Sequence, residues 1–510
     1  MIRFAVNLAL SQYLDWRYRL IERSLSQVNY TQNLLLTKLI QTAQYTSFGK
    51  QFGFRSIRNY EDFASYVPLY EYDELKPFIK RMMLGEKDVL WNGRVKWFSK
   101  SAGTTSDKSK FIPVTKENLF GNHIKGSWDT MALLYHHVPD IGVFKNKNLI
   151  MGGSISCFED FPDTMYGDIS AIMIHHMPGI ARPFYTPDLE TAILPDWEQK
   201  IERTARQIIK QPMVMFGGVP TWNLVLFKKV LEITGAKHLL EIWPTLKAYV
   251  HGGVGFGPYK EQFNTLLPDP SFNYMEVYNA SEGYFSVSHQ PCVKDMLLLI
   301  NNGTFYEFIE LNNYQKGDFT TIPLEDVRSD VDYAMVVTTN AGLWRYIIGD
   351  TVRFTSLSPH RLVVTGRTKQ FVNAFGEEVM VSNTDAALAK ACHKHHVIVT
   401  DYTVAPIYFE MNGQGGHQWI IEFEKSPLNL SLFEKDLDDC LKEMNSDYEA
   451  KRSSNMALRQ LQITDVPKGT FLRWLRSKGK VGGQNKVPRL SNNRNFIEEI
   501  LAIIQKSDST

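Results

Sequence analysis

Cysteine is scarce in this chain. Cys157, Cys292, Cys392 and Cys440 are the only four in 510 residues, and no two form a Cys-x-x-Cys pair. A chain this long needs no disulfide framework, and scattered thiols fit a reducing compartment, so a cytoplasmic location is expected. An excess of charge is also lacking. Lys and Arg number 56 against 55 Asp and Glu, a formal +1. That balance gives no electrostatic reason for a nucleic-acid polymer or an anionic membrane as partner. No apolar run reaches the roughly 18 residues that a spanning helix needs. The first ten residues are mostly apolar, but Asn7 interrupts them, and Gln12-Tyr13-Leu14-Asp15-Trp16-Arg17 follows where a cleavage site would need small residues. An amphipathic first helix is expected there. Three catalytic signatures are missing as well: the Gly-Lys-Ser/Thr ending of a Walker A loop, the three-glycine Rossmann fingerprint, and the Gly-x-Ser-x-Gly elbow of serine acyl enzymes.

Hydrophobic residues make up 44% and charged residues 22% of the chain, ordinary values for a globular protein. At 510 residues, two or more cores are expected. Apolar spacing predicts helix from Leu14 to Ala43. From Val67 to Pro270, strand-like runs (Asn148–Met151, Met213–Phe216, Leu246–Val250) alternate with helical segments (Trp197–Lys210, Trp222–Thr234). Such alternation predicts a layered α/β architecture. The stretch Gly366–Gly376 has glycines at both ends and is the best boundary. Beyond it, helices at Asn383–His395, Ser431–Asn445 and Asn495–Ser507 and strands near Val397–Val404 and Gln418–Phe423 predict a separate α+β domain. The run Cys392-His393-Lys394-His395-His396 ends the first of these helices. Adjacent ligands point apart on a helix, and cations at a helix C-terminus are favoured by the dipole, so this run is read as a helix end, not as a metal site.

The densest chemical signal lies between two short apolar runs, in Phe98-Ser99-Lys100-Ser101-Ala102-Gly103-Thr104-Thr105-Ser106-Asp107-Lys108-Ser109-Lys110. Small residues let backbone N–H groups approach phosphate oxygens, hydroxyls add donors, and lysine neutralises charge. On its own, the same string reads equally well as a solvated hairpin tip. Three later segments bear on it: Val277-Tyr278-Asn279-Ala280-Ser281-Glu282-Gly283-Tyr284-Phe285, then Val336–Asp350 continuing to Gly366-Arg367, and Gly482-Gly483-Gln484-Asn485-Lys486-Val487-Pro488-Arg489. Taken singly, Glu282 could be a solvated turn residue, Gly349-Asp350 a turn, and Lys486 a solvated lysine.

In this order the four segments resemble the signature set of the adenylate-forming superfamily. More narrowly, they resemble the Gretchen Hagen family of acyl-acid amido synthetases. The likeness runs from about Pro68 to Arg494 and includes Gly217-Gly218-Val219-Pro220 and Val250-His251-Gly252-Gly253-Val254. It implies a large multi-layered N-terminal α/β domain (1–368), a hinge (369–382, with Lys369 at the hinge position) and a mobile C-terminal α+β lid (383–510). It implies an ATP-dependent ligase that converts a carboxylic acid to acyl-AMP and passes the acyl group to an amino-acid amine, releasing AMP. Its partners would be small molecules, and a monomer is expected. An acyl-CoA synthetase with the same first step, or a non-catalytic nucleotide or small-acid binder, are the alternatives.

By that resemblance, Ser101, Gly103, Thr104, Thr105 and Lys110 would hold the ATP phosphates, although Ala102 and Asp107 depart from the commonest family pattern. Glu282 would hold Mg2+, which usually takes one or two carboxylates plus phosphate oxygens. Gly252, Gly253 and Val254 would face Tyr278, Asn279, Ala280 and Ser281 across the adenine. Asp350, placed at the end of a strand Trp344–Gly349, would accept from the ribose hydroxyls, with Arg367 as a second contact. Lys486 would be the mobile catalytic lysine. The acyl pocket would involve Asn122–His137 and Asp168–Met173.

Overall fold

The structure, a computed structural model, describes residues 2–101, 110–159, 161, 163–253, 255–368, 371–372, 379–407, 415–445, 448–449, 452, 458–479, 486–491 and 493–507. They form two compact units. The first contains the described residues up to Gly253 together with Asp269–Val364, and the second contains the described parts of 254–268 and 365–510. The sequence reading left 254–268 in the larger domain. It packs instead with the second unit, where Gln262 Nε2 donates to Val399 O at 2.8 Å. The predicted helix Leu14–Ala43 is two helices, Ile2–Leu25 and Val28–Ala43, separated by a turn at Ser26-Gln27.

A twelve-stranded mixed sheet organises the first unit. On one side Tyr185–Thr186, Lys147–Ile150, Met213–Gly218, Ala248–Gly252 and Asn273–Asn279 lie in that order, all parallel. Parallel neighbours need crossover connections, and the helices Trp197–Ile208 and Pro220–Thr234 lie in two of them. Met213-Val214-Met215-Phe216 is continuously apolar because all four side chains are buried. Pro220 starts its helix, where its missing N–H costs nothing, and Gly235 ends it at φ +70°. Farther across the sheet, antiparallel ladders join Asp332–Thr339 to Thr304–Glu310 and to Tyr346–Leu357. A smaller sheet runs Lys110–Val114, Trp97–Ser101, Met165–Gly167, Ile155–Cys157.

Arg345 locks this unit. It lies just before Tyr346–Leu357, and all five of its N–H donors are used. Nε donates to Glu307 Oε1 at 3.0 Å, Nη1 to Ala64 O and Val67 O at 2.7 Å each, and Nη2 to Glu307 Oε1 at 2.8 Å and Thr321 Oγ1 at 2.6 Å. Glu307 is fully buried. Removing either partner would strand a charge in the core, at a cost of about 3–5 kcal/mol.

In the second unit, strands Ile398–Ile407, Gly416–Lys425 and Gln462–Val466 form a three-stranded sheet. Its neighbours in sequence include the helices Val381–His395, Leu430–Met444, Thr470–Ser477 and Asn495–Ser507. Trp419, Tyr402, Phe433 and Leu441 are buried at its centre. Asn429 caps Leu430–Met444 by accepting from Leu432 N at 3.0 Å. Of the cationic helix end, Cys392 is buried in this core, His395 Nε2 meets Asp436 Oδ2 at 2.5 Å, and His396 closes the helix at φ +53°.

Candidate active site

The acidic motif sits at the carboxyl end of the parallel strands, where the crevice of an open α/β sheet receives ligands. Strand Asn273–Asn279 turns back into Tyr284–Ser288 through reciprocal bonds, Ala280 N to Gly283 O at 2.9 Å and Gly283 N to Ala280 O at 3.3 Å. This tight turn holds Ser281 and Glu282, both buried. Asn122 braces it: its Oδ1 accepts from Tyr284 N at 2.6 Å, and its Nδ2 donates to Asn302 O at 2.7 Å.

Ser281 connects the turn to the hydroxyl-rich loop. Ser99 Oγ donates to Ser281 Oγ at 3.0 Å, and Ser99 lies on Trp97–Ser101, the strand that leads into that loop. The returning strand, Lys110–Val114, pairs with it residue for residue, Ser101 opposite Lys110. Phe111 N donates to Tyr72 OH at 2.8 Å, and the Lys110 ammonium lies 5.6 Å from the centre of the Tyr72 ring. The Tyr72 phenol has a raised pKa, chiefly through burial, with the Asp73 and Glu282 carboxylates adding to the rise. Gly103, Thr104, Thr105 and the Ser101 side chain lie outside the described residues, as does Val254.

Asp350 does not end a strand. The strand runs Tyr346–Leu357, and Asp350 stands inside it on a bulge. Ile347 pairs with Val336 and Thr351 with Ala334, so Ile348, Gly349 and Asp350 together oppose one residue, Met335. Gly349 at φ +88° makes this possible. The bulge brings Asp350 Oδ2 within 2.5 Å of Tyr278 OH, which donates to it. Gly252 pairs with Val277, next to Tyr278, and a side chain there would place its Cβ 2.4 Å from Val277 O. Gly253 follows at φ +84°.

The first unit thus joins Tyr278 to Asp350, sets Gly252 beside Val277, and ties the Ser281-Glu282 turn to the strand that enters the loop. Arg367, half-buried at the end of strand His360–Arg367, and Lys486, also half-buried, belong to the second unit. Sequence reasoning gave Ser99 and Tyr72 no role of their own and placed Asn122 only in the stretch assigned to the acyl pocket by resemblance, because the partners of all three lie far along the chain. His123, in that same stretch, ends the π-helical turn Leu119–His123, the kind of helical irregularity that often marks functional sites. Burial pushes the His123 pKa down to about 4, opposed by the Asn279 side chain. Burial likewise takes His251, one residue before Gly252, down to about 3.

Comparison with known sequences gives the site its setting. The profile described as the GH3 family N-terminal domain matches residues 17–151 and 141–272, the central domain 297–367, and the C-terminal domain 382–495. The chain belongs to the GH3 family. Among its GH3 relatives, indole-3-acetic acid-amido synthetase GH3.3 of Arabidopsis thaliana is 22% identical over 552 aligned residues, covering 92% of this chain and 91% of that protein. The solved GH3.15 acyl acid amido synthetase shares 18% identity at a TM-score of 0.77, covering 95% of each chain. A 2-hydroxyisobutyryl-CoA ligase in the postadenylation state, holding 2-HIB-AMP, shares 12% identity at a TM-score of 0.55, covering 99% of this chain and 92% of that one. The chain therefore shares its mixed α/β fold with these two solved enzymes, with a large first unit and a smaller second one. No helix among the described residues is long and apolar enough to cross a membrane.

Proposed function

We propose that this chain is an ATP-dependent acid–amino acid ligase. In the first half-reaction a carboxylate oxygen of a small organic acid bonds to the α-phosphorus of ATP, and the bridging P–O bond breaks to release pyrophosphate. In the second, an amino-acid amine attacks the acyl carbon and loses a proton, and AMP departs with the C–O electron pair. The observation that carries this reading is the Tyr278–Asp350 hydrogen bond, which joins two separate sequence motifs of a GH3 chain at one crevice.

Each residue has a physical reason for its proposed role. A carboxylate can accept from both ribose hydroxyls, and Asp350 has one oxygen already oriented by Tyr278. Arg367 is the proposed second ribose or phosphate contact. Gly252 and Gly253 leave backbone bare where a flat base would lie against the 278–280 segment. Lys110 would neutralise phosphate charge, together with donors from Ser101, Gly103, Thr104 and Thr105. A buried carboxylate on a tight turn, bonded through Ser281 to the phosphate-loop strand, suits a magnesium ion that also takes phosphate oxygens. Glu282 would hold that ion, which when bound screens the charge of the triphosphate. Lys486 would balance the negative charge that grows around the α-phosphorus.

The test is a panel of carboxylic acids with ATP, read as pyrophosphate release, followed by mass spectrometry of products with amino acids or coenzyme A. Acid-dependent pyrophosphate and an amide are expected. A thioester without an amide would overturn the acceptor, and no pyrophosphate with any acid would leave a binding protein.

A further inference from the structure

Lys486 opens a described stretch, 486–491, with no regular secondary structure beyond one bridge. Its continuation is nevertheless held at successive points. Val487 is buried in an apolar cluster with Ala405, Ile420, Trp474 and Ile497. Pro488 O accepts from Thr403 Oγ1 at 2.6 Å, Arg489 O from Val404 N at 2.9 Å, and Val404 O from Ser491 N at 3.1 Å. These bonds alone would keep the segment on the sheet.

The Arg489 side chain adds an unusual second anchor. Its guanidinium lies over the Tyr402 ring, 4.6 Å from the centre. Nη1 donates to Tyr402 O at 2.8 Å and to Asp401 Oδ1, and Nη2 donates to Tyr259 OH. Tyr402 OH donates in turn to Asp385 Oδ1 at 2.7 Å. Burial opposes the charge of Arg489, but Asp401, Tyr259, Tyr402 and Asp385 outweigh it and hold the pKa well above its ordinary value. Gly255 allows the close packing, since a side chain there would put Cβ 2.4 Å from Asp385 Oδ2. Tyr259 belongs to the 254–268 stretch, which follows Gly252-Gly253 directly in the chain and packs with the second unit. A planar fork fixed at both ends restricts rotation in a way that backbone bonds do not.

Resting on the reading of Lys486 given above, we propose that Arg489 is the positioning residue of Lys486, oriented by Tyr259 and Asp401. Arg489 sets the direction in which the chain leaves the sheet three residues earlier, and so the place where the Lys486 ammonium is presented. Arg489→Lys keeps the charge but loses the fork. It should lower kcat for adenylation about 10-fold or more and leave the KM for ATP within about 2-fold. Amide formation from a supplied synthetic acyl-adenylate should change by less than about 3-fold, since that step forms no bond to phosphorus. Tyr259→Phe removes one partner of the fork and should give the same split at about 3-fold, and it carries the test if Arg489→Lys does not fold. In a Lys486→Ala enzyme, Arg489→Lys should add no further loss of adenylation. Equal losses in both half-reactions, or an undiminished loss in the Lys486→Ala enzyme, would show that Arg489 only stabilises the unit and would overturn the proposal. Normal adenylation by Lys486→Ala alone would remove the role of Lys486 and this inference with it, a result seen without any Arg489 variant.

Discussion

In the first unit, Asp350 and Glu282 stand on a bulge and a tight turn of the twelve-stranded sheet. In the second, Lys486 stands on a stretch without helix or strand, tied down through its neighbours' side chains and carbonyls. A sheet can place a carboxylate with one glycine at positive φ, because its hydrogen-bond ladder already fixes everything around the irregularity. The 486–491 stretch meets the sheet through a single bridge, Val404 with Leu490. It gains a further anchor from the half-buried Arg489 guanidinium, stacked on the Tyr402 ring. Backbone irregularity thus carries the two acids, whereas the stretch that carries the lysine adds side-chain anchors to its backbone bonds.

The largest effect should come from breaking what keeps the first unit's sheet regular. Arg345→Ala leaves Glu307 buried without its guanidinium and should lower stability by about 3–5 kcal/mol in urea denaturation. A loss under about 1 kcal/mol would mean that the ladder holds without this clamp. Next, Lys486→Ala should slow adenylate formation by about 10²-fold or more, measured as pyrophosphate exchange, by analogy with loss of an oxyanion donor. Its aminolysis of synthetic acyl-adenylate should be much less sensitive, and equal losses in both would make the lysine structural. Asp350→Ala removes a charged acceptor from the bulge and should weaken ATP and AMP alike by about 1.5–3 kcal/mol in calorimetry. Unchanged affinity in a folded variant would refute the ribose assignment.

Gly349→Ala asks whether the bulge needs its glycine. The φ of +88° is costly for an L side chain, and a loss of about 1–2 kcal/mol in thermal unfolding is expected. The smallest effect near neutrality is pH-dependent. His123 is held to about 4 and His251 to about 3 by burial, below the unfolded value near 6.5. Between those values the unfolded chain binds the extra protons, so stability should fall as pH drops from about 6.5, by up to about 1.4 kcal/mol per pH unit per histidine. For His123 the loss levels off below about 4. A His123→Asn variant should flatten this slope in urea titrations between pH 6 and 4.5. An unchanged slope would show that His123 titrates normally.

Much of the fold could be read locally. Met213-Val214-Met215-Phe216 announces a buried strand because both of its faces are covered, and the helix Asn495–Ser507 has the bounds that its pattern predicts. Tyr278, Ser281, Glu282 and Asp350 carry recognisable neighbours, so they too could be picked out. Gly349 reads as a turn signal, which would end the strand at Asp350, but pairing with Asp332–Thr339 carries the strand through it. The home of 254–268 was also not legible. Nothing in Gly255-Phe256-Gly257-Pro258-Tyr259 says that its glycine will meet Asp385 or its tyrosine Arg489.

The α/β class, the order of the elements and the types of charged residue available to the site follow from periodicity and from motifs a few residues long. Which of them meet is set by long-range packing. Ser99 reaches Ser281, Tyr278 reaches Asp350, and Arg489 reaches Tyr259, across 182, 72 and 230 positions respectively. Contacts of that separation leave no local trace, because what favours them is the packing of both partners' surroundings and not the propensity of either residue.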